Sequence, residues 1–193
     1  IDAGQDFADP PNSDYGRAKK AAEMALQAAW RETPQCALVI LRPTFIWGDA
    51  TPALETVRGK IRSGQFAWID AGRHPIEAVH VDNVAQAVSC ALHRGQPRRA
   101  YLVTDQQAYS ARSLLGALLR TGHQPVEAPA RSIPSWLAVP MARGVESVWR
   151  MLGLWRKAPP ITVFDVAFMA QPRRYNIDAT VRELGYIPSH QLP

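Results

Sequence analysis

The sequence predicts an α/β fold built on a parallel sheet, and three observations carry that prediction. A helical stretch over about 14–31 leads into Ala37-Leu-Val-Ile-Leu-Arg42, a continuous apolar run of the kind a strand buried on both faces requires. A second run, Ala100-Tyr-Leu-Val-Thr104, precedes another helical stretch, so helix and strand alternate as in βαβ units. Finally, Pro43 to Asp49 leaves the carboxyl end of the first strand with a proline and a glycine, at the place where open α/β sheets bind their ligands.

Each element has a local reason. Residues 1–12 are polar and carry Pro10-Pro11, a loop arriving at the first helix. Ser13 or Asp14 can cap that helix, Leu26, Ala29 and Trp30 recur at helical spacing, and Thr33-Pro34 ends it. Thr51–Ser63 reads as a helix closed by Gly64, Phe66–Asp70 as a short strand, 71–75 as a turn and Ile76–Val81 as extended chain. Asp82 then caps a helix with Val84, Ala87, Val88, Ala91 and Leu92 that ends near Gly95. Ser110 caps a helix carrying Leu114, Leu115, Leu118 and Leu119, closed by Thr121-Gly122, and Gln124–Pro129 reads as a short strand.

Residues 132–160 hold three of the six tryptophans. Ser132–Pro140 leads into a helix whose expected apolar stripe is Val145, Val148, Trp149, Leu152 and Trp155, with Arg143, Glu146 and Arg150 opposite. That helix can pack on the domain, cover an apolar substrate or lie in a membrane interface, but its charges bar it from spanning a bilayer. A helix from Pro160-Ile-Thr follows, then an extended Tyr175-Asn-Ile177, then a helix from Asp178 closed by Leu184-Gly185.

The composition, 47% hydrophobic and 20% charged over 193 residues, suits a globular domain with a sizeable core. The net charge of +5 comes from scattered arginines without a basic run or zinc-finger spacing, which argues against nucleic acid and suits an anionic cofactor or substrate. Cys36 and Cys90 are too few for a disulfide framework or a metal site and fit the reducing cytoplasm, and no metal is expected. The chain begins Ile1-Asp2, and no glycine pattern forms a phosphate-cradling loop, so the expectation is the back part of a longer protein. A piece of that kind should expose a sheet edge and be prone to self-association, which makes a homodimer a candidate assembly.

The chemistry-bearing pair is Tyr15 and Lys19, at i and i+4 on one helix face. A phenol ionises near pH ~10, and a neighbouring ammonium favours the phenolate, which fits it for proton transfer to or from a substrate oxygen. The pair alone is weak evidence, since it is equally a solvated helix pair. With five Tyr and four Lys in 193 residues, chance supplies about 0.1 such spacings.

Three blocks in order raise its weight: Tyr15-x-x-x-Lys19 with Glu23, then Leu41-Arg42-Pro43-Thr44-Phe45-Ile46-Trp47-Gly48, then His80-Val-Asp-Asn-Val-Ala-Gln-Ala87. Together they resemble the extended short-chain dehydrogenase/reductase superfamily of NAD-dependent epimerases and dehydratases. His80-Val-Asp82-Asn83 and the tail Pro160-Ile-Thr…Leu184-Gly185-Tyr186 are similar to its 3β-hydroxysteroid dehydrogenase branch. The resemblance implies the C-terminal part of a Rossmann-like doubly wound parallel sheet, with a small, mostly helical substrate-binding subdomain. The expected division is 1–122 for the Rossmann-like part with interleaved substrate segments and 123–193 for the subdomain.

It further implies NAD or NADP as cofactor, Tyr15 as general acid/base, and Lys19 acting on Tyr15 and on the nicotinamide ribose. Pro43, Thr44 and Phe45 would hold the nicotinamide end, while Trp47, Arg73 and His80 would face the substrate, His80 more by positioning than by catalysis. The implied substrate is a hydrophobic 3-hydroxy or 3-keto compound of sterol or long-chain keto-acid type. The implied location is cytoplasmic, with a peripheral membrane contact as an option. A nucleotide-sugar epimerase or dehydratase is the alternative. Against it, the arginine that grips the sugar pyrophosphate in such enzymes is replaced here by Ile76, with Arg73 close by. A truncated, non-catalytic module is the third reading. The superfamily's Ser/Thr that shares the substrate oxygen lies upstream, on a strand this chain lacks, and Ala18 stands where a Ser or Thr is common. The chain alone is therefore expected to be inactive.

Overall fold

The computed structural model describes residues 14–33, 35–48, 51–120, 125–154 and 159–191. Ser13, Pro34, Asp49, Thr121-Gly122, Gln124 and Trp155 lie outside them. In chain order the elements are α1 (Asp14–Glu32), β1 (Ile40–Pro43), β2 (Phe45–Trp47), α2 (Pro52–Arg62), β3 (Trp68–Ile69), β4 (Pro75–His80), α3 (Val81–Arg94), β5 (Ala100–Val103), β6 (Ala108–Ser110), α4 (Ala111–Arg120), β7 (Ser132–Ile133), α5 (Ser135–Met151) and α6 (Val163–Ala170). A single π-helical turn, Thr180–Leu184, closes the described chain and ends at Gly185 in the left-handed region, φ 68°.

Among the described residues the strands form three small sheets, mainly parallel, rather than one continuous sheet. β1 pairs with β5, β2 with β4 and β3 with β7, all parallel, while β6 adds to β4 antiparallel. The antiparallel β6 and the short β7 carry no apolar run and were not expected; β7 replaces the strand predicted over 124–129. The segment after β1, expected as a turn, is strand β2, because Phe45 to Trp47 finds a ladder along Ala78 to His80.

Three apolar groups form the core. One packs Trp47, Trp68 and Ile76 against Leu54 and the α4 leucines; another packs Val79, Tyr101 and Val103 against Ala87, Ala91, Leu184 and Tyr186. The third joins Ile69 to Ala138, Ala142 and Val166. β5 is buried from Tyr101 to Val103, as its apolar run demands. β1 is not: among the described residues it pairs with β5 alone, its side chains are half-buried, and Pro43 is exposed. The α1 helix buries no residue and is tied to β1 by a two-pronged ion pair, Arg42 Nη2 to Glu23 Oε1 at 2.5 Å and Nε to Oε2 at 3.1 Å.

Two further corrections concern helix starts. α3 is capped by His80, whose Nδ1 accepts the Asp82 N–H at 3.2 Å, so Asp82 lies inside the first turn and is not the cap. α5 starts ten residues before the expected stripe, carries Pro140 within it, and buries Ala138 and Ala142. The small alanines let the backbone of α5 come close to Val166 of α6, which larger side chains at those positions would prevent. Val148 and Leu152, expected in the packed stripe, are exposed beside Trp136 and Met151. No described helix is long and apolar enough to cross a membrane.

The closing turn is held electrostatically. Glu183 accepts from Arg99 Nη2 at 2.6 Å and from the Tyr101 hydroxyl at 2.9 Å, and these two donors, Arg99 foremost, hold its carboxyl down to about 2 from an ordinary 4.5. A carboxylate with a depressed folded pKa stabilises above its unfolded value and loses that contribution as pH falls through the folded one. Urea midpoints are therefore expected to fall as pH drops from about 4.5 towards about 2, and Glu183→Gln is expected to remove the part of that slope that belongs to this residue. An unchanged acid slope in Glu183→Gln would show that the contact contributes nothing.

Candidate active site

Tyr15 lies in the first turn of α1 and is 58% exposed. Lys19, one turn on, holds its Nζ 5.6 Å from the centre of the Tyr15 ring, so the two share a face as the spacing demands. On its other side the Tyr15 ring tilts against Phe164 of α6, centroids 5.2 Å apart. Phe164 continues to Phe168 at 6.5 Å, and Phe168 to Phe45 at 5.2 Å. A chain of rings thus runs from the Tyr15/Lys19 pair to the strand that follows β1. Neither phenylalanine of α6 was singled out in the sequence, although their i, i+4 spacing was the available signal.

Of the residues expected around a nicotinamide, Pro43 is exposed at the carboxyl end of β1, and Thr44 donates its N–H to the Val103 carbonyl at 3.1 Å. Phe45 is half-buried in the ring chain.

Trp47 and His80 form a second group, built around a residue the sequence reading passed over. Asp105 is fully buried and accepts from Trp47 Nε1 at 2.9 Å, from the His80 N–H at 3.0 Å and from Asn83 Nδ2 at 2.5 Å. Asn83, also fully buried, in turn donates to the His190 carbonyl at 2.7 Å and accepts the Ser189 and His190 N–H groups. That explains an asparagine at this point of the His-Val-Asp-Asn block: its amide offers both a donor and an acceptor to the tail. The His80 ring packs edge-on to Trp47 at 4.5 Å and stacks on His190 at 4.8 Å. His80, Asp82 and His190 also bring ligand-type atoms within 4.8 Å of one another, but His80 Nδ1 is already engaged as the cap of α3. Arg73 is exposed and donates its Nε to the Asp70 carbonyl at 3.0 Å, and Ile76 is buried in the core.

A cavity of about 680 Å³ opens between the start of α1, α5 and α6. Asp14 and Arg17 line it from α1, while Tyr15 and Lys19 are not part of its lining. From α5 come Ser135, Val139, Arg143, Glu146, Ser147 and Arg150, one face of the helix at i, i+4, i+8, i+11, i+12 and i+15. From α6 come Val163, Val166, Ala167 and Ala170, again one face. The start of α5 is anchored through Asp70, which accepts the Ser135 N–H at 2.8 Å and meets His74 Nε2 at 3.0 Å. Burial alone would raise the Asp70 carboxyl; the Ser135 N–H and His74 outweigh it and hold the group below the usual range.

The profile of the NAD dependent epimerase/dehydratase family matches residues 2–104, and the chain belongs to that family. It is 34% identical over 188 residues to the 4-hydroxy-2-methyl-3-oxo-4-farnesyl-3,4-dihydroquinoline-1-oxide ketoreductase of Stigmatella aurantiaca, covering 96% of this chain and 54% of that protein. It is 28% identical over 191 residues to the 2-alkyl-3-oxoalkanoate reductase of Stenotrophomonas maltophilia (strain K279a), covering 96% and 55%. Among solved structures, PA4631, described as a nucleoside-diphosphate-sugar epimerase from Pseudomonas aeruginosa, superposes with a TM-score of 0.63 at 20% identity, over 98% of this chain and 55% of that one; this likeness shows the fold. The chain spans about half the length of the curated relatives it matches. The family, the Rossmann-like α/β class and the kinship with reductases agree with the expectation from the three sequence blocks.

Removing the Asp105 carboxylate leaves three N–H donors facing a fully buried position. Asp105→Ala is expected to cost about 3 kcal/mol, read from urea unfolding, the scale for stranding buried partners of a charged group. A loss within experimental error would show that the three donors find other partners.

Proposed function

We propose that the protein to which this chain belongs is an NAD(P)-dependent oxidoreductase. It moves hydride between nicotinamide and the carbon of a 3-oxo or 3-hydroxy group on a hydrophobic substrate. The observation that carries the reading is the Tyr15/Lys19 pair, exposed on one face of α1 and linked by aromatic rings to Phe45 at the start of β2. The kinship with two reductases of 3-oxo compounds supports the same reaction class.

In the reducing direction, the reduced nicotinamide supplies the hydride to the carbonyl carbon. Tyr15 Oη delivers the proton to the oxygen, leaving a phenolate that Lys19 stabilises and that solvent reprotonates; in the oxidising direction the same phenolate takes the hydroxyl proton. Exposed Pro43, with Thr44 and Phe45, forms the edge at which the nicotinamide would rest, and Lys19 Nζ, free of any carboxylate partner among the described residues, suits its ribose hydroxyls. Trp47 and His80 act through Asp105 to fix the wall behind that edge. The exposed apolar stripe on α5 suits a hydrophobic substrate or a membrane interface, and residues 123–193, which contain it, serve as the substrate-binding part. The sugar-nucleotide alternative has less support, because Ile76 occupies the core and Arg73 is engaged by Asp70.

In the complete gene product, Tyr15→Phe is expected to lower kcat by about 10²–10⁴-fold with little change in KM, the range for losing a positioned acid/base. Since Tyr15 is largely exposed, the thermal midpoint should stay within a degree or two. Full turnover by Tyr15→Phe would sink the reading.

A further inference from the structure

Phe164 is the second residue of the eight-residue helix α6, and it is 40% exposed. An apolar ring left this open forgoes much of the burial that favours one in a fold. The backbone that carries it is nevertheless closely held. The Asp165 N–H donates to Thr162 Oγ1 at 3.0 Å and the Thr162 N–H to Asp165 Oδ2 at 3.1 Å, a reciprocal cap. Lys60 of α2 donates to the same carboxylate oxygen at 2.9 Å, and the Val163 N–H donates to Glu146 Oε1 of α5 at 2.8 Å. The neighbours of Phe164 on either side are thus tied to two other helices, and Val166 behind them is buried. These contacts fix where one exposed ring points.

It points at Tyr15. The ring contact at 5.2 Å reaches Tyr15 from another element, whereas Lys19 belongs to α1 and moves with it. Phe168 stacks behind Phe164 at 6.5 Å. Tyr15 itself is largely exposed, in the first turn of a helix that buries no side chain. A tyrosine so placed exchanges between staggered χ1 wells unless a neighbour selects one. A tilted aromatic contact favours its own well by about two- to tenfold. Proton transfer depends steeply on where the hydroxyl is held, so that preference carries into the rate.

We infer that Phe164 is a positioning residue: its ring holds the Tyr15 phenol in one rotamer, and the anchors at the start of α6 aim that ring. The consequence for the rate rests on the hydride-transfer reading; the consequence for the rotamer rests on the ring geometry alone. The aim of the acid/base carried by α1 is thereby set from the far end of the chain.

The test uses the complete gene product, with 3-oxodecanoate and NADH or NADPH. Phe164→Ala is expected to lower kcat about three- to tenfold with KM within about twofold, and Phe164→Tyr, which keeps the ring, to stay within about twofold of wild type. In a Tyr15→Phe background there is no hydroxyl to aim, so Phe164→Ala should change kcat by less than about twofold. A ring that only supports the fold would cost the same factor in both backgrounds. Three-bond couplings from isotope-labelled tyrosine, with the Tyr15 signal assigned by its loss in Tyr15→Phe, read χ1 without any turnover. They are expected to show one rotamer in wild type and Phe164→Tyr and averaging in Phe164→Ala. An unchanged kcat in Phe164→Ala, an equal factor in both backgrounds, or a single rotamer retained in Phe164→Ala overturns the inference and leaves hydride transfer standing. Full turnover by Tyr15→Phe, or none by the wild type, counts against the hydride-transfer reading instead, and the couplings then decide the role of Phe164 by themselves. Should Phe164→Ala fail to fold in a thermal melt, Phe164→Leu carries the same comparisons.

Discussion

A carboxylate that water does not reach must be met by donors, and the way Asp105 meets this requirement holds the structure together. It lies just past the end of β5, fully buried, and draws in the indole N–H of β2, the backbone N–H that ends β4 and the amide of Asn83 on α3. Asn83 extends the network to the backbone of 189–190. Two strands, one helix start and the tail are thus registered by a few polar atoms, with the hydrocarbon of Val79, Tyr101, Val103 and Tyr186 packed alongside. Hydrophobic packing drives burial, but it is indifferent to small slips; a network with every partner satisfied is not. The same enclosure, with the Asp105 charge near, pushes the Tyr186 phenol well above its ordinary range, so that ring remains a neutral donor to the Thr104 carbonyl.

What this hub positions is the His-Val-Asp-Asn block, and through Trp47 the strand whose first residue, Phe45, starts the ring chain to Tyr15. The residues the sequence placed near substrate therefore fall into two groups of different kind. Tyr15 and Lys19 are exposed and touch little. Trp47 and His80 are enclosed and touch much, His80 spending its Nδ1 on the cap of α3, a role suited to holding rather than reacting.

The parts legible in the sequence were those with a local cause. The helices of 14–32, 81–94 and 111–120 follow from their periodicity, and β5 from its unbroken apolar run. The Tyr15/Lys19 proximity follows from helix geometry alone. What could not be read depends on distant partners. Asp105 sits among turn residues, and only folding shows that Trp47 and Asn83 converge on it. Strand β2 has a proline before it and a glycine after it, and exists because β4 offers a ladder. The α5 stripe held at Val145 and Trp149, which are half-buried, and failed at Val148 and Leu152, because two alanines that permit close approach to α6 take the packed face.

The helix bearing Tyr15 and Lys19 is the one the core holds least. α1 buries no side chain; its links include the Arg42–Glu23 pair, the Trp30 indole to the Cys36 carbonyl, the Arg98 guanidinium over the Trp30 ring, and the Tyr15–Phe164 ring contact. Of these, the first is the most sheltered, with both side chains less than a fifth exposed, and its two-pronged geometry fixes direction as well as distance. It acts two turns from Tyr15, so it sets the axis of the helix, while Phe164 holds the first turn against α6. The polar network around Asp105 lies in the buried interior, and the exposed Tyr15 and Lys19 lie outside it. Glu23, conspicuous in the sequence only as the residue four places after Lys19, is the joint between the two.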